Sequence, residues 1–345
     1  MFDYISTFSG IGAFEIALEK TYKNTNCLFY SEIDKHAIKV YTYRYPSHIN
    51  AGNIDLITEE DIVKFLENRK YPNNPVLIFG GFPCTNLSSM SRTSGDSRGL
   101  QGKSSSLFYT LVKIIKTIKK YTEVRFVLEN NLSMSKNNRK LITETLEKYV
   151  GSTFMTKVDA TRFGVQRRRR LFWTNFEVDS LEDNDSDLCV QTWDDILVNI
   201  DQMENMKVSS DKMIKGTLNG LWKNSKSKQG KTKMFVKTDG GFYKYDEIES
   251  KERTRMDVNK ISDTINKKSV VYLSKGLSSY LVDRRFGDNK EFLIRQHTVN
   301  EIERLFMMPD GWVDSAPNVS FTKKKNLLGR SIVVGACLYV FSFLQ

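Results

Sequence analysis

Histidine is scarce. Three residues, His36, His48 and His297, lie far apart in a chain of 345. A metal centre needs ligands at short, repeated spacings, so no metal is expected. The four cysteines, Cys27, Cys84, Cys189 and Cys337, form no CxxC pair. That excludes a zinc ribbon and a secreted-type disulfide framework, and a reducing cytoplasm is the expected compartment. Long apolar runs are also missing. The longest, Ser331 to Leu344, falls short of the ~20 residues that span a bilayer. Met1-Phe2-Asp3-Tyr4 offers no basic n-region, so no signal peptide is expected. Disordered and fibrous classes are excluded by a hydrophobic content of 40% with 27% charged residues. The length predicts two domains or one elaborated domain. Fifty-two basic against 41 acidic residues leave a formal charge of +11, which favours a polyanionic partner.

The first half alternates short apolar runs with helical patterns. Tyr4–Phe8, Cys27–Tyr30, Val76–Phe79 and Val124–Leu128 read as strands. Ala13–Lys20, a segment through His36–Val40, Leu107–Lys120 and Leu141–Tyr149 read as helices. Such alternation predicts an α/β fold with a parallel, doubly wound sheet. Glu177–Asp187 is an acidic connector, and Met203–Asn289 is rich in Lys, Ser, Gly and Asn with isolated aromatics. The expected division is 1–174 plus 295–345 for one domain, and 175–294 for a smaller, mostly β domain. Helical patterning returns at Val299–Phe306 and Ser331–Phe343.

Four constellations carry chemistry. Phe8-Ser9-Gly10-Ile11-Gly12 sits between a strand and a helix, where glycines let a nucleotide-like ligand approach free N–H groups. The alternative is a plain tight turn. Glu32, about twenty residues on, stands where an acid meets ribose hydroxyls, and Gly52-Asn53-Ile54-Asp55 stands where an adenine ring could lie. Next, Gly80-Gly81-Phe82-Pro83-Cys84 ends a strand and presents a cysteine at the sheet edge where α/β folds bind ligands. A lone cysteine is otherwise a small buried hydrophobe, the reading taken for Cys27, Cys189 and Cys337. The following Ser89–Gly102 has the composition of a closing loop. The third is Glu129-Asn130-Asn131, a carboxylate at a strand end suited to proton transfer, or otherwise a cap or surface ion pair. The fourth is Gln166-Arg167-Arg168-Arg169-Arg170, in which strand alternation would put Arg168 and Arg170 on one face; a solvated basic run is the alternative.

In this order the residues resemble the DNA cytosine-5 methyltransferases. The family's FxGxG loop matches Phe8, Gly10 and Gly12, its ribose acid Glu32, and its PC nucleophile motif Pro83-Cys84 with Ser88 trailing. The EN pair matches Glu129-Asn130, and QxRxR matches Gln166, Arg168 and Arg170. Glu301–Phe306 with Pro309-Asp310-Gly311-Trp312 is similar to the RL-x-GFPD segment, and Gly329–Val334 to the closing GNSV segment. Departures are Ala13 for glycine, Thr85 for glutamine, Asn131 for valine, Asn53 for aspartate and Arg330 for asparagine. Leu327–Ser331 is similar to the variant in animal de novo enzymes.

The resemblance implies a Rossmann-like S-adenosylmethionine-dependent methyltransferase domain with a smaller, mostly β target-recognition domain. It implies Cys84 as nucleophile, Glu129 as the acid at the cytosine N3 edge, and Arg170 with Arg168 holding the base. Cofactor contacts are expected from Phe8, Gly10, Ile11, Gly12, Glu32, Ile33, Asn53, Ile54, Pro83, Leu107, Arg330 and Ser331. DNA contacts are expected from Ser88, Arg92, Arg98 and Gln166. The expected cofactor is S-adenosylmethionine, leaving as S-adenosylhomocysteine, with no metal. The expected partner is double-stranded DNA, bound by a monomer in the cytoplasm, with the target base flipped out. A cognate restriction endonuclease is a candidate genetic partner, with phage or solitary origin the alternatives. A tRNA methyltransferase on the same scaffold and a non-catalytic DNA-binding relative are the competing readings.

Overall fold

The structure is a computed structural model. It describes residues 1–83, 103–164, 166, 168–181, 191, 193–198 and 293–344, with strands at 235–238, 241–244, 270–272 and 280–283. The chain divides into two compact units, Met1–Gln191 with Glu303–Gln345, and Thr192–Ile302.

The first unit is built on a sheet of β1 (Phe2–Thr7), β2 (Thr25–Ser31), β3 (Val76–Gly81), β4 (Val124–Asn131), β5 (Phe154–Asp159) and β6 (Arg169–Thr174). Their spatial order is β2-β1-β3-β4-β6-β5. Every residue of β1 is buried, as expected of a strand covered on both faces. The helices are α1 (Ala13–Thr21), α2 (Lys35–Arg44), α3 (Glu59–Leu66), α4 (Lys103–Ile118) and α5 (Lys136–Tyr149). Side-chain alternation sorts the core. Ile5, Ile78 and Phe126 join Ile62 of α3, Leu111 of α4 and Ile142 of α5 in one cluster. Tyr4 and Phe79 turn the other way, where Phe79 stacks on Phe14 of α1 with ring centroids 5.3 Å apart.

The strands β1 to β4 are mutually parallel, as the alternating pattern predicts. The last two correct it, because β6 runs antiparallel to both β4 and β5. Only residues 160–168 separate β5 from β6, too few for the crossover of a dozen or more that parallel neighbours need. The sheet is therefore mixed. Two elements carried no clear sequence signal. The strand β5 lies at the sheet's edge and buries only Thr156 and Val158; α3 is one short amphipathic turn pair, held by a capping box between Thr58 and Asp61.

The second unit carries α6 (Trp193–Ile196) and an antiparallel sheet of β7 (Phe235–Thr238), β8 (Gly241–Lys244), β9 (Val270–Tyr272), β10 (Tyr280–Asp283) and β11 (Leu293–Gln296), in the order β11-β10-β9-β7-β8. The next helix, α7 (Val299–Leu305), runs past Ile302, where the second unit ends. Two more follow in the first unit, α8 (Phe321–Arg330) and α9 (Val334–Phe341). The last of these joins α1 on the Phe79 face, Phe341 lying 5.7 Å from Phe79. Among the described residues no helix is long and apolar enough to cross a membrane.

A carboxyl group is buried in this unit. Glu15, in the first turn of α1, is fully buried and accepts a hydrogen bond from the Tyr41 hydroxyl at 2.8 Å. Burial pushes its pKa up to about 7, against the Tyr41 hydrogen bond that lowers it. Below the unfolded value near 4.5 both states are protonated and the cost of ionisation is absent. As pH rises toward 7 the unfolded state releases its proton first, so stability falls. Glu15 alone should remove ~3 kcal/mol between pH 4 and pH 8. Glu15→Gln should therefore gain in unfolding free energy over the wild type as pH is raised from 5 to 8, measured by urea denaturation. Parallel pH curves for the two proteins would refute this.

Candidate active site

The turn from β1 into α1 departs from ordinary backbone at three of five residues. Phe8, Gly10 and Gly12 have φ of 52°, 56° and 85°. Glycine takes such values freely, whereas Phe8 does so at a cost of about 1–2 kcal/mol. The turn is tied down by hydrogen bonds. Ser9 N donates to Ser31 O at 3.2 Å, Gly12 N to Ser9 O at 3.1 Å, and Gly10 N to the Glu32 carboxylate at 2.9 Å. The other oxygen of Glu32 accepts from Ile33 N and Asp34 N, each at 2.8 Å. Three backbone donors thus fix one carboxylate beside the glycine turn.

Space is left on the open side. A Cβ added to Gly10 would meet only Phe8 O, at 4.0 Å, and one added to Gly52 would meet nothing within 4 Å. Ile33, next to Glu32, is 70% exposed, and Phe8 and Leu107 are half-buried against the core. An open glycine turn, a preorganised carboxylate and a bare apolar side chain fit a nucleoside bearing ribose hydroxyls and a flat base. Other expected cofactor residues are occupied within the protein. The Asn53 side chain accepts from Asp55 N at 3.1 Å to cap the turn Ile54–Leu56, and Ile54 is buried. Ser331 N donates to Leu328 O at the end of α8, and Ile11 is buried. Arg330 pairs with Asp34 at 2.6 Å. Sequence reasoning passed over Asp34, which also caps α2 through His36 N and Ala37 N. Its partial burial would raise its pKa, but the Arg330, His36 and Ala37 bonds outweigh that and hold it below the usual carboxylate range.

The second cluster lies where β3 and β4 end side by side, with Gly81 paired to Glu129. The strand β4 runs on through Asn131, beyond the Leu128 end expected from its apolar run. Pairing with β6 sustains it, Glu129 facing Phe172 and Asn131 facing Arg170. Glu129 and Asn130 therefore project from opposite faces. Glu129 meets the Arg170 guanidinium at 2.7 Å, with side-chain exposures of 13% and 14%. Burial raises the Glu129 pKa, and Arg170 and then Arg168 oppose it. Asn130 is buried and donates to Phe82 O at 3.1 Å. Phe82 packs on Phe108, ring centroids 5.3 Å apart, so the chain reaching Pro83 is held on both sides. Cys84, Ser88, Arg92 and Arg98 lie outside the described residues.

Arg168 precedes β6 and turns elsewhere. It donates to Gly329 O at 2.9 Å and Ser331 O at 2.6 Å, with its guanidinium 5.2 Å from the Phe306 ring centre. It thus ties the segment before α9 to the strand that carries Arg170. Gln166 is half-buried.

The C-5 cytosine-specific DNA methylase family model matches residues 2–344. The chain belongs to that family. Its sequence is 31% identical over 181 residues to type II methyltransferase M.BsuFI of Bacillus subtilis, covering 51% of this chain and 39% of that protein. It is 33% identical over 176 residues to type II methyltransferase M.MspI of a Moraxella species, covering 50% and 38%. Each match thus spans about two-fifths of the relative's length. Among solved structures, a mutant of Spodoptera frugiperda DNMT2 superposes with a TM-score of 0.62 at 16% identity, covering 100% of this chain and 99% of that one. The S. pombe Dnmt2 methyltransferase gives 0.59 at 15%, covering 100% and 98%. What this chain shares with them is the fold, a mixed α/β sheet with helices.

Gly81 gives Glu129 its room. A Cβ there would stand 2.5 Å from Glu129 Oε2. Gly81→Ala should displace the end of a flexible side chain, leaving the thermal midpoint within a few degrees. Methyl-transfer rate, assayed on DNA, should fall about 10²-fold, the scale of a lost positioned acid. Full activity in Gly81→Ala would show that the Glu129 placement is immaterial.

Proposed function

We propose that this protein is a DNA cytosine-5 methyltransferase using S-adenosylmethionine, and that Cys84, Glu129 and Arg170 carry the reaction. Family membership supports the reaction class. The observation that carries the residue assignment is the half-buried Glu129–Arg170 pair next to the Asn130 bond that holds Phe82, two residues before Cys84. The relatives named type II methyltransferases favour duplex DNA over tRNA as substrate.

Cytosine C5 is a weak nucleophile. In the proposed cycle the Cys84 thiolate bonds to C6, the C5–C6 π electrons shift to C4–C5, and the C4–N3 π electrons take a proton from Glu129 at N3, leaving an enamine with a nucleophilic C5. S-adenosylmethionine, when bound, supplies the electrophilic methyl group that C5 accepts. Water then takes the C5 proton, the C5–C6 double bond re-forms as the Cys84 thiolate leaves, and N3 returns its proton to Glu129. Burial suits Glu129 to this work, because a carboxyl raised above its ordinary range keeps its proton closer to neutral pH. Arg170 holds that carboxyl in place and limits the rise. Glu32, Ile33 and the Gly10 turn would hold the cofactor, and Arg168 would keep Ser331 beside it. The base must leave the stack to reach Cys84. We assign the chemistry to the Met1–Gln191 and Glu303–Gln345 unit, and target reading to the Lys-rich Thr192–Ile302 unit, acting on DNA in the cytoplasm.

Radiolabelled S-adenosylmethionine tests the assignment. Cys84→Ala should bring methyl incorporation into duplex DNA to background while S-adenosylhomocysteine binding persists. Equal turnover by Cys84→Ala would remove Cys84 from the mechanism, and labelling of tRNA but not duplex DNA would move the substrate to RNA. Glu129→Gln should slow transfer at least 10²-fold. Arg170→Gln removes the main cation that lowers the Glu129 pKa. Its pH–rate limb for Glu129 should move to higher pH; a shift to lower pH would contradict the electrostatic assignment.

A further inference from the structure

Trp312 belongs to none of the groups assigned so far, yet its indole N–H donates to Ile11 O at 2.7 Å. Ile11 is buried in the middle of the glycine turn, three hundred residues away in sequence. The ring also fills the space under Gly12. A Cβ at Gly12 would stand 3.5 Å from the indole and 3.1 Å from the Tyr45 ring, which meets Trp312 edge-on.

The indole is itself held rigidly. Arg44 donates through Nε to Trp312 O at 2.8 Å and through its terminal nitrogen to Gly311 O, with the guanidinium 5.0 Å from the ring centre. From the other side the fully buried Glu303 carboxylate accepts from Gly311 N at 2.7 Å, Val313 N at 2.6 Å and Asp314 N at 2.8 Å. A tryptophan held by a cation and a carboxylate is an anchor for whatever its N–H touches.

We infer that Trp312 is a positioning residue for the cofactor: by holding the Ile11 carbonyl it keeps the Phe8–Gly12 turn in its open, ligand-accepting form. The turn needs such an anchor. Phe8 stores strain at φ 52°, and a buried carbonyl that loses its donor is left unsatisfied. Without the indole N–H both terms favour relaxation to a different turn, one that no longer presents Gly10 and Glu32 together. The inference rests on the proposed use of S-adenosylmethionine.

Calorimetric titration with S-adenosylhomocysteine separates the two. Wild-type protein that binds none would overturn the cofactor reading and this inference with it. If the wild type binds, Trp312→Phe, which keeps a ring but loses the N–H, should raise Kd about tenfold. Its KM for S-adenosylmethionine should rise in step, with kcat at saturation within about twofold of wild type. A purely structural tryptophan would instead lower the thermal midpoint and kcat with Kd unchanged, and that result overturns the inference. Arg44→Gln leaves the indole in place but frees the segment that carries it, and should raise Kd in the same direction by a smaller factor. It decides the matter if Trp312→Phe does not fold; an unchanged Kd there is again a refutation.

Discussion

The parallel pairing of β3 with β4 sets Gly81 against Glu129, and the site depends on that register. A glycine on one strand leaves a gap, and the carboxylate of the next strand fills it. Slipping the pairing by one residue would put Asn130 in the gap and turn Glu129 to the opposite face. The same register lets Asn130 reach Phe82, so one strand pair orients the carboxyl and the approach to Pro83. The antiparallel strand β6 completes the arrangement, because only a neighbour on the far side of β4 can deliver Arg170 to Glu129.

Much of this was legible in the chain. The apolar runs of β1 to β4 are buried on both faces, so each stands out against polar surroundings. The glycine turn, Glu32, Pro83, Glu129 and Arg170 fall at strand ends, where short motifs mark the change from apolar to functional residues. Periodicity failed where burial is one-sided or brief. Edge strand β5 hides two residues and shows no run, whereas β6 reads as a strand entry, although its first two residues are arginines and its buried core, Leu171 to Thr174, comes only after them. The direction of β6 follows from loop length, a quantity that cannot be read until both strands are found.

Long-range polar contacts were less accessible. Arg168 and Arg170 look equivalent in a run of arginines, yet one meets Glu129 and the other the carbonyls of Gly329 and Ser331. The difference is one of position: Arg170 lies within β6 and Arg168 precedes it, so strand alternation does not govern both. Asp34 and Arg330, 296 residues apart, form an ion pair that no local pattern announces. Trp312 was visible only as part of a motif, and its contact with Ile11 is likewise a product of the fold.

Three acidic residues of the first unit show how environment divides one side chain into different tasks. Burial raises the pKa of Glu15, Glu129 and Glu303 alike. Glu303 is met by three backbone N–H groups, fixed donors that serve only to brace a turn. Glu15 is met by the hydroxyl of Tyr41 inside the core, out of reach of any ligand, so its ionisation is felt as stability. Glu129 is met by Arg170 at the end of a strand, both side chains retaining some access to solvent. A guanidinium has five N–H donors and can keep one on the carboxylate while others turn to an incoming oxygen. Of these three carboxyls, Glu129 alone is both raised by burial and open to a second partner, which is the combination a proton donor to a bound base requires.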